Sequence, residues 1–240
     1  MRNLSKLLKK EMDSTVIVGI YGKPGAGKSI YAMKVAFDFY GDWDKVLSHI
    51  VFTPFDFEMA MEYLEKKNRW IPLLIWDDAG PWLELLKHNP WHPLAIGIRG
   101  IFETMRLRVG AILITMTSER SMPRGIKYNG NIYRYRVKVV KNGSLENGVA
   151  KSIAMIQVRR EKMNDWEKYY WDTSTLYRDH FTLKMERYNE YEDLRKLYIK
   201  LYTDLVEASK EIPPAKLLDY VYNRWLELKE EIPGRAFYER

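Results

Sequence analysis

The chain has 240 residues, 46% of them hydrophobic and 30% charged, the balance of a soluble globular protein with one ample core and room for a helical appendage. It has no cysteine, which excludes disulfides and thiolate metal sites and fits a cytoplasmic protein. The formal net charge of +7 favours anionic partners, and no apolar run approaches the roughly 18 to 20 residues needed to span a bilayer.

Residues 1–13 scatter charges among Leu4, Leu7, Leu8 and Met12 and offer no small-residue cleavage site. That predicts a short amphipathic helix and not a secretory signal. The β-branched run TVIVGIY at 15–21 predicts a buried parallel strand. It leads into Gly22-Lys23-Pro24-Gly25-Ala26-Gly27-Lys28-Ser29, and from Lys28 the run KSIYAMKVAFDFY has helical spacing, with Ile30 in its first turn. Strand, GxxxxGK[ST] loop and helix in that order form a phosphate cradle. A chain turning around a triphosphate must present several backbone N–H groups, and side chains at its glycines would obstruct the approach. Lys28 then reaches the β- and γ-phosphates and the Ser29 hydroxyl ligates Mg²⁺, so ATP and Mg²⁺ are the expected cofactors.

A second strand is predicted at 47–52, and a helix at 55–67 with Met59, Tyr63 and Leu64 along one side. The segment LLIWDDAG at 73–80 is an apolar strand ending in Asp77 and Asp78. An acid at the carboxyl end of such a strand can face Ser29 across a bound cation. His88 and His92 are separated by Pro90, which denies them a common helical face, so no structural metal is expected. A helix at 98–109 precedes a buried strand at 111–117, where Thr115 or Thr117 could contact a terminal phosphate or serve only as strand packing. Arg120 and Arg124 follow it, with Arg106 and Arg108 before it.

Residues 131–141 (NIYRYRVKVVK) alternate strictly, a turn signal follows at Asn142-Gly143, and 150–160 read as the return strand of a β-hairpin. Arg134, Arg136 and Lys138 share one face and Tyr133, Tyr135, Val137 and Val139 the other, while Arg159 and Arg160 lie on the return strand. The basic stripe suits a DNA phosphate backbone or the solvated side of a half-buried hairpin. Helices are predicted at 183–210 and 215–231, broken at Pro213-Pro214. The expected fold class is α/β, a P-loop NTPase with a central parallel sheet flanked by helices. Its parts are an ATPase core at 1–130, a β-hairpin extension at 131–181 and a C-terminal helical region at 182–240.

With GKPGAGKS, LLIWDDAG and ILITMTSE in this order, residues 15–125 resemble the additional-strand P-loop ATPases, specifically the AAA+ branch of DnaA, DnaC and IstB-type replication ATPases. Residues 73–80 are similar to the LLIIDDLG of the DnaC/IstB group, a Walker B element with a second Asp. Small basic ATPases without cysteine also resemble those encoded by archaeal viruses and plasmids. The resemblance implies a Mg-dependent ATP hydrolase acting on DNA in replication, as a nucleotide-dependent homo-oligomer in the cytoplasm, that of the host if the protein is viral.

Carried over to this chain, Lys28 and Ser29 bind phosphate and Mg²⁺, Asp77 orients the metal, and Asp78 polarises the attacking water as general base. Thr115 or Thr117 stands at the sensor position. Arg120 or Arg124 would serve a neighbouring subunit as arginine finger, with Arg106 and Arg108 behind them, and Arg187, Arg195 and Arg224 are the choices for the arginine that the lid region supplies. A β-hairpin ahead of the helices departs from the all-helical lid of that family. It fits a DNA-packaging or DNA-extrusion motor of the FtsK/HerA or Zot type equally well. Lys23 suggests a ParA-like partition ATPase, although Pro24 replaces the Gly expected there, and a small-molecule kinase also shares the loop.

Overall fold

The computed structural model describes residues 1–127, 132–146, 148–163 and 169–231. Helix α1 (Asn3–Lys10) buries Leu4 and Leu8. Strand β1 (Val16–Tyr21) leads into the glycine loop, and helix α2 (Lys28–Tyr40) starts directly from Gly27. Asp42 caps the short α3 (Trp43–Ser48) by accepting from the N–H groups of Asp44 and Lys45. A two-residue strand, β2 (Ile50–Val51), follows.

Helix α4 (Pro54–Lys66) is fixed by a reciprocal capping box between Thr53 and Asp56, with Pro54 at its first position, where a missing N–H costs nothing. Strand β3 (Ile71–Trp76) runs to the acid pair, and helix α5 (Gly80–His88) begins just past it. Helix α6 (Pro93–Thr104) comes next, then strand β4 (Val109–Met116), all eight residues of which are buried. A single turn, α7 (Arg124–Lys127), precedes the long strands β5 (Tyr135–Glu146), β6 (Val149–Met163) and β7 (Tyr169–Thr182). Helices α8 (Tyr188–Ala208) and α9 (Pro214–Glu231) complete the described chain.

The strands form one mixed sheet in the order β2-β3-β4-β1-β5-β6-β7. From β2 to β5 every pairing is parallel, whereas β5–β6 and β6–β7 are antiparallel. The molecule is therefore α/β, a seven-stranded mixed sheet flanked by helices. Strand β4 lies between β1 and β3, so it separates the strand entering the glycine loop from the strand ending in Asp77 and Asp78. Phe57 of α4, Trp76 of β3 and Phe102 of α6 stack in one aromatic layer, with Phe57 and Trp76 centroids 4.9 Å apart.

Five segments differ from expectation. The helix expected at 98–109 runs from Pro93 to Thr104, and Val109 and Gly110 already belong to β4. The strand placed at 131–141 begins at Tyr135, its residue 131 lying outside the described residues, and it joins the sheet as the parallel neighbour of β1. Tyr135, Val137 and Val139 are buried in the core, so the alternation reports a sheet with one solvated side. Strand β7 was expected nowhere. Its sequence mixes β-formers with Asp172, Arg178, Asp179 and His180, as suits an edge strand protected by charge. The helix expected from 183 starts at Tyr188. The strand expected at 47–52 shrinks to Ile50–Val51 because α3 takes residues up to Ser48.

Candidate functional site

The glycine loop lies at the carboxyl end of β1, and two of its glycines are required by geometry. Gly27 has φ 92° and begins α2, and a Cβ there would meet Leu183 Cδ2 at 2.3 Å. A Cβ on Gly22 would meet the Val139 carbonyl oxygen at 2.3 Å. Backbone replaces side chain on the inner side of the turn, which leaves the N–H groups at the start of α2 accessible. Lys23, Pro24 and Gly25 are exposed, Ala26 and Ile30 are buried, and the Lys28 ammonium donates to the Lys23 carbonyl at 3.2 Å. Burial lowers the Lys28 pKa, against the opposing pull of Asp78 and Asp77.

Strand β3 carries its acids to the same edge. Asp77 is 1% exposed. Its Oδ1 accepts from the Thr115 hydroxyl at 2.6 Å and its Oδ2 from the Tyr191 hydroxyl at 2.6 Å. Burial and then the neighbouring Asp78 raise its pKa, and the hydroxyls of Thr115, Tyr191 and the nearby Ser29 work the other way. Asp78 has φ 48°, a left-handed conformation that costs a non-glycine residue energy and concentrates at functional sites. Three contacts hold it there. Its N–H donates to Thr115 Oγ1 at 2.8 Å, its carbonyl accepts from Tyr202 at 2.6 Å, and its Oδ2 accepts from Arg195 Nε at 2.7 Å.

Around these groups lies a pocket of about 730 Å³, lined by Pro24, Gly25, Lys28, Ser29, Asp78, Thr117 and residues of α8. That volume falls within the roughly 300–1,000 Å³ of small-ligand sites. The structure brings Gly25, Gly27, Lys28, Ser29, Ile30 and Asp78 into its lining, with Asp77 buried beside Tyr191. Thr115 is fully buried and orients both acids, whereas Thr117 is exposed and faces the pocket. Of the three lid arginines, Arg195 enters the site. Arg187 pairs with Asp44 and Glu190, and Arg224 with Asp204 and Glu227. Arg120 and Arg124 are exposed outside the pocket lining, and Arg106 and Arg108 lie at the amino end of β4, the opposite edge of the sheet.

The basic stripe is largely engaged by the fold. Arg134 pairs with Glu11 at 3.0 Å and Arg136 with Glu119 at 2.8 Å. Arg159 is 6% exposed, lies over the Tyr133 ring and donates to the Lys127 carbonyl. Lys138 and Arg160 stay exposed. His88 ends α5 and His92 caps α6, and no cluster of three or more His, Cys, Asp or Glu occurs among the described residues. Mg²⁺ does not need one, because it takes one or two protein oxygens and completes its shell with water and phosphate. The Ser29 hydroxyl beside the Asp77 carboxylate is such a hard-oxygen pair.

Tyr191 and Tyr202 are site residues that the sequence did not single out. In the sequence Tyr191 recurs at helical spacing with Tyr188, Leu194 and Tyr198, and only the packing of α8 beside the carboxyl end of β3 turns its hydroxyl toward Asp77. The one available signal was a tyrosine-rich stripe where leucine would pack as well.

No protein-family model matches the chain. It is 29% identical over 203 residues to an uncharacterized protein, B-251, of Sulfolobus spindle-shape virus 1, covering 79% of this chain and 77% of that protein. It is also 31% identical over 104 residues to an uncharacterized protein, ORF286, of Acidianus two-tailed virus, covering 43% of this chain and 36% of that one.

Proposed function

We propose that the chain is a Mg-dependent ATPase of the additional-strand P-loop class. The observation that carries the proposal is the meeting of Lys28 and Ser29 from the loop with Asp77 and Asp78 from β3, on two strands separated by β4. That strand order is what the additional-strand resemblance implies and speaks against a small-molecule kinase. The loop amides, the amino end of α2 and Lys28 would bind the phosphates. Ser29 and Asp77 would hold Mg²⁺, which when bound offsets charge on the phosphate oxygens. Asp78 accepts a proton from the water that attacks the γ-phosphorus as the bond to the bridging oxygen breaks, and Arg195 holds that carboxylate in place.

The test is hydrolysis measured alongside nucleotide binding. Lys28→Ala should abolish both, and Asp78→Asn should keep binding while losing turnover. Retained turnover in both variants would refute the assignment.

We further propose DNA as the target of the hydrolysis cycle and a homo-oligomer as its working form, with Arg124 a candidate finger toward a neighbour. The net charge of +7 and the exposed Lys138 and Arg160 support the DNA half. Absence of salt-sensitive DNA affinity, with and without ATP, would remove it. The strands β6 and β7, which widen the sheet beyond β5, favour a FtsK/HerA-type or Zot-type motor over a replication ATPase with an all-helical lid. A ring that translocates duplex would decide for the motor, and ATP-dependent dimers would favour a partition ATPase.

A further inference from the structure

Strand β5 outruns its neighbour. Its last pairing with β1 joins Lys138 to Tyr21, and the strand then continues past the glycine loop. There its backbone comes close enough that the Val139 carbonyl excludes any Cβ at Gly22. Two residues further on, Lys141 leans over the loop. A Cβ built on Gly25 would lie 3.6 Å from Lys141 Nζ and 3.9 Å from its Cε. The ladder to β6 breaks immediately afterwards, between Lys141 and Leu145, and such irregularities re-aim side chains beside sites. Lys141 is exposed, and no carboxylate pairs with it among the described residues.

Electrostatics gives this lysine a use. The charged groups already gathered at the pocket cancel, Lys28 and Arg195 against Asp77 and Asp78. A nucleoside triphosphate brings net negative charge into that neutral set even with one Mg²⁺ bound, so a further cation on a flexible stem at the loop's outer lip improves the balance. We propose that Lys141 is a second phosphate-chain ligand, supplied by the overrun of β5, that closes on the polyphosphate of a bound nucleoside di- or triphosphate from the Gly25 side of the loop. The proposal rests on the nucleotide-binding reading of the same pocket.

Equilibrium titration of the full chain with fluorescent ADP and a fluorescent non-hydrolysable ATP analogue tests it, using wild type, Lys141→Gln and Lys141→Arg. Lys141→Gln should weaken both affinities by about tenfold, Lys141→Arg should restore most of the loss, and the melting temperature of the ligand-free protein should not change. Wild-type binding with unchanged affinity in Lys141→Gln overturns the role of Lys141 and leaves the nucleotide site standing. A weakened variant with a lowered ligand-free melting temperature and no rescue by arginine also overturns it, because Lys141 would then act through the fold. Failure of the wild type to bind either nucleotide removes both proposals.

Discussion

Tyr191 of α8 donates its hydroxyl to Oδ2 of Asp77 over 2.6 Å, and Thr115 of β4 donates to Oδ1 of the same carboxylate over 2.6 Å. One buried acid is thus held between the sheet and a helix more than a hundred residues later in the chain. Burial and Asp78 raise its pKa, and each hydroxyl donor favours the ionised form. On the proposed reading Asp77 holds Mg²⁺ and must be ionised, so Tyr191→Phe should move the acid limb of the kcat/KM profile for ATP hydrolysis upward by about one pH unit. An unmoved limb would mean that the tyrosine leaves Asp77 in the working state.

Asp77 also makes ligand-free stability depend on pH. Its folded pKa lies above the ordinary 3.8, so the folded state binds more protons than the unfolded chain between those two values. Stability therefore falls as pH rises through that window, and the full penalty persists above it. Asp77→Asn should remove the penalty, raising the melting temperature at pH 7 while abolishing the proposed turnover. Near pH 3, where wild-type Asp77 is protonated in both states, the two proteins should melt together. Scanning calorimetry at both pH values checks the sign.

The strand–loop–helix turn and the place of the acid pair are legible because their signals are local: glycines where the backbone turns between β1 and α2, and two acids directly after a buried strand. What was not legible depends on which elements pack together. Arg187, Arg195 and Arg224 are indistinguishable as letters, and the meeting of α8 with the acids after β3 selects Arg195. The stripe Arg134, Arg136 and Arg159 has the composition of a nucleic-acid contact, yet Glu11, Glu119 and Tyr133, remote in sequence or on other elements, occupy all three. Strand β7 is not legible in the sequence because an edge strand carries charges that blur the period-two pattern. Thr115 read as either sensor or packing, and its hydroxyl combines a structural and a site task by holding both acids.

On the proposed reading Arg195 should separate binding from chemistry. It is 37% exposed and its partner Asp78 28% exposed, so the pair adds little to stability in screened surroundings. Its effect should appear instead in the placement of Asp78 and in charge developing on the terminal phosphate. Arg195→Met should lower kcat by about 100-fold while changing KM by less than about threefold. A loss confined to KM would assign the arginine to ground-state phosphate binding.

The helix carrying Tyr191 and Arg195 is itself anchored at Asp56. That carboxylate is 1% exposed and accepts from the N–H and hydroxyl of Thr53, from Tyr198 of α8 at 3.1 Å, and from Trp225 Nε1 of α9 at 3.0 Å. Asp56→Ala would remove the capping box of α4 and leave two buried donors from the C-terminal helices without an acceptor, a loss of about 3 kcal/mol. Urea unfolding should register that loss as a lower midpoint. The damage should also reach the site, because α8 sets the positions of Tyr191 and Arg195: kcat should fall although no group touching the pocket has changed. Lys28→Ala makes the opposite prediction, with no turnover at near-wild-type stability, so the two variants together separate anchoring of the helix from binding of phosphate. Tyr198→Phe, which deletes one donor and leaves the acceptor in place, should show a smaller version of the Asp56 effect on both readouts. A fall in stability without any fall in kcat would mean that α8 keeps its place beside the carboxyl end of β3 by its aromatic contacts alone.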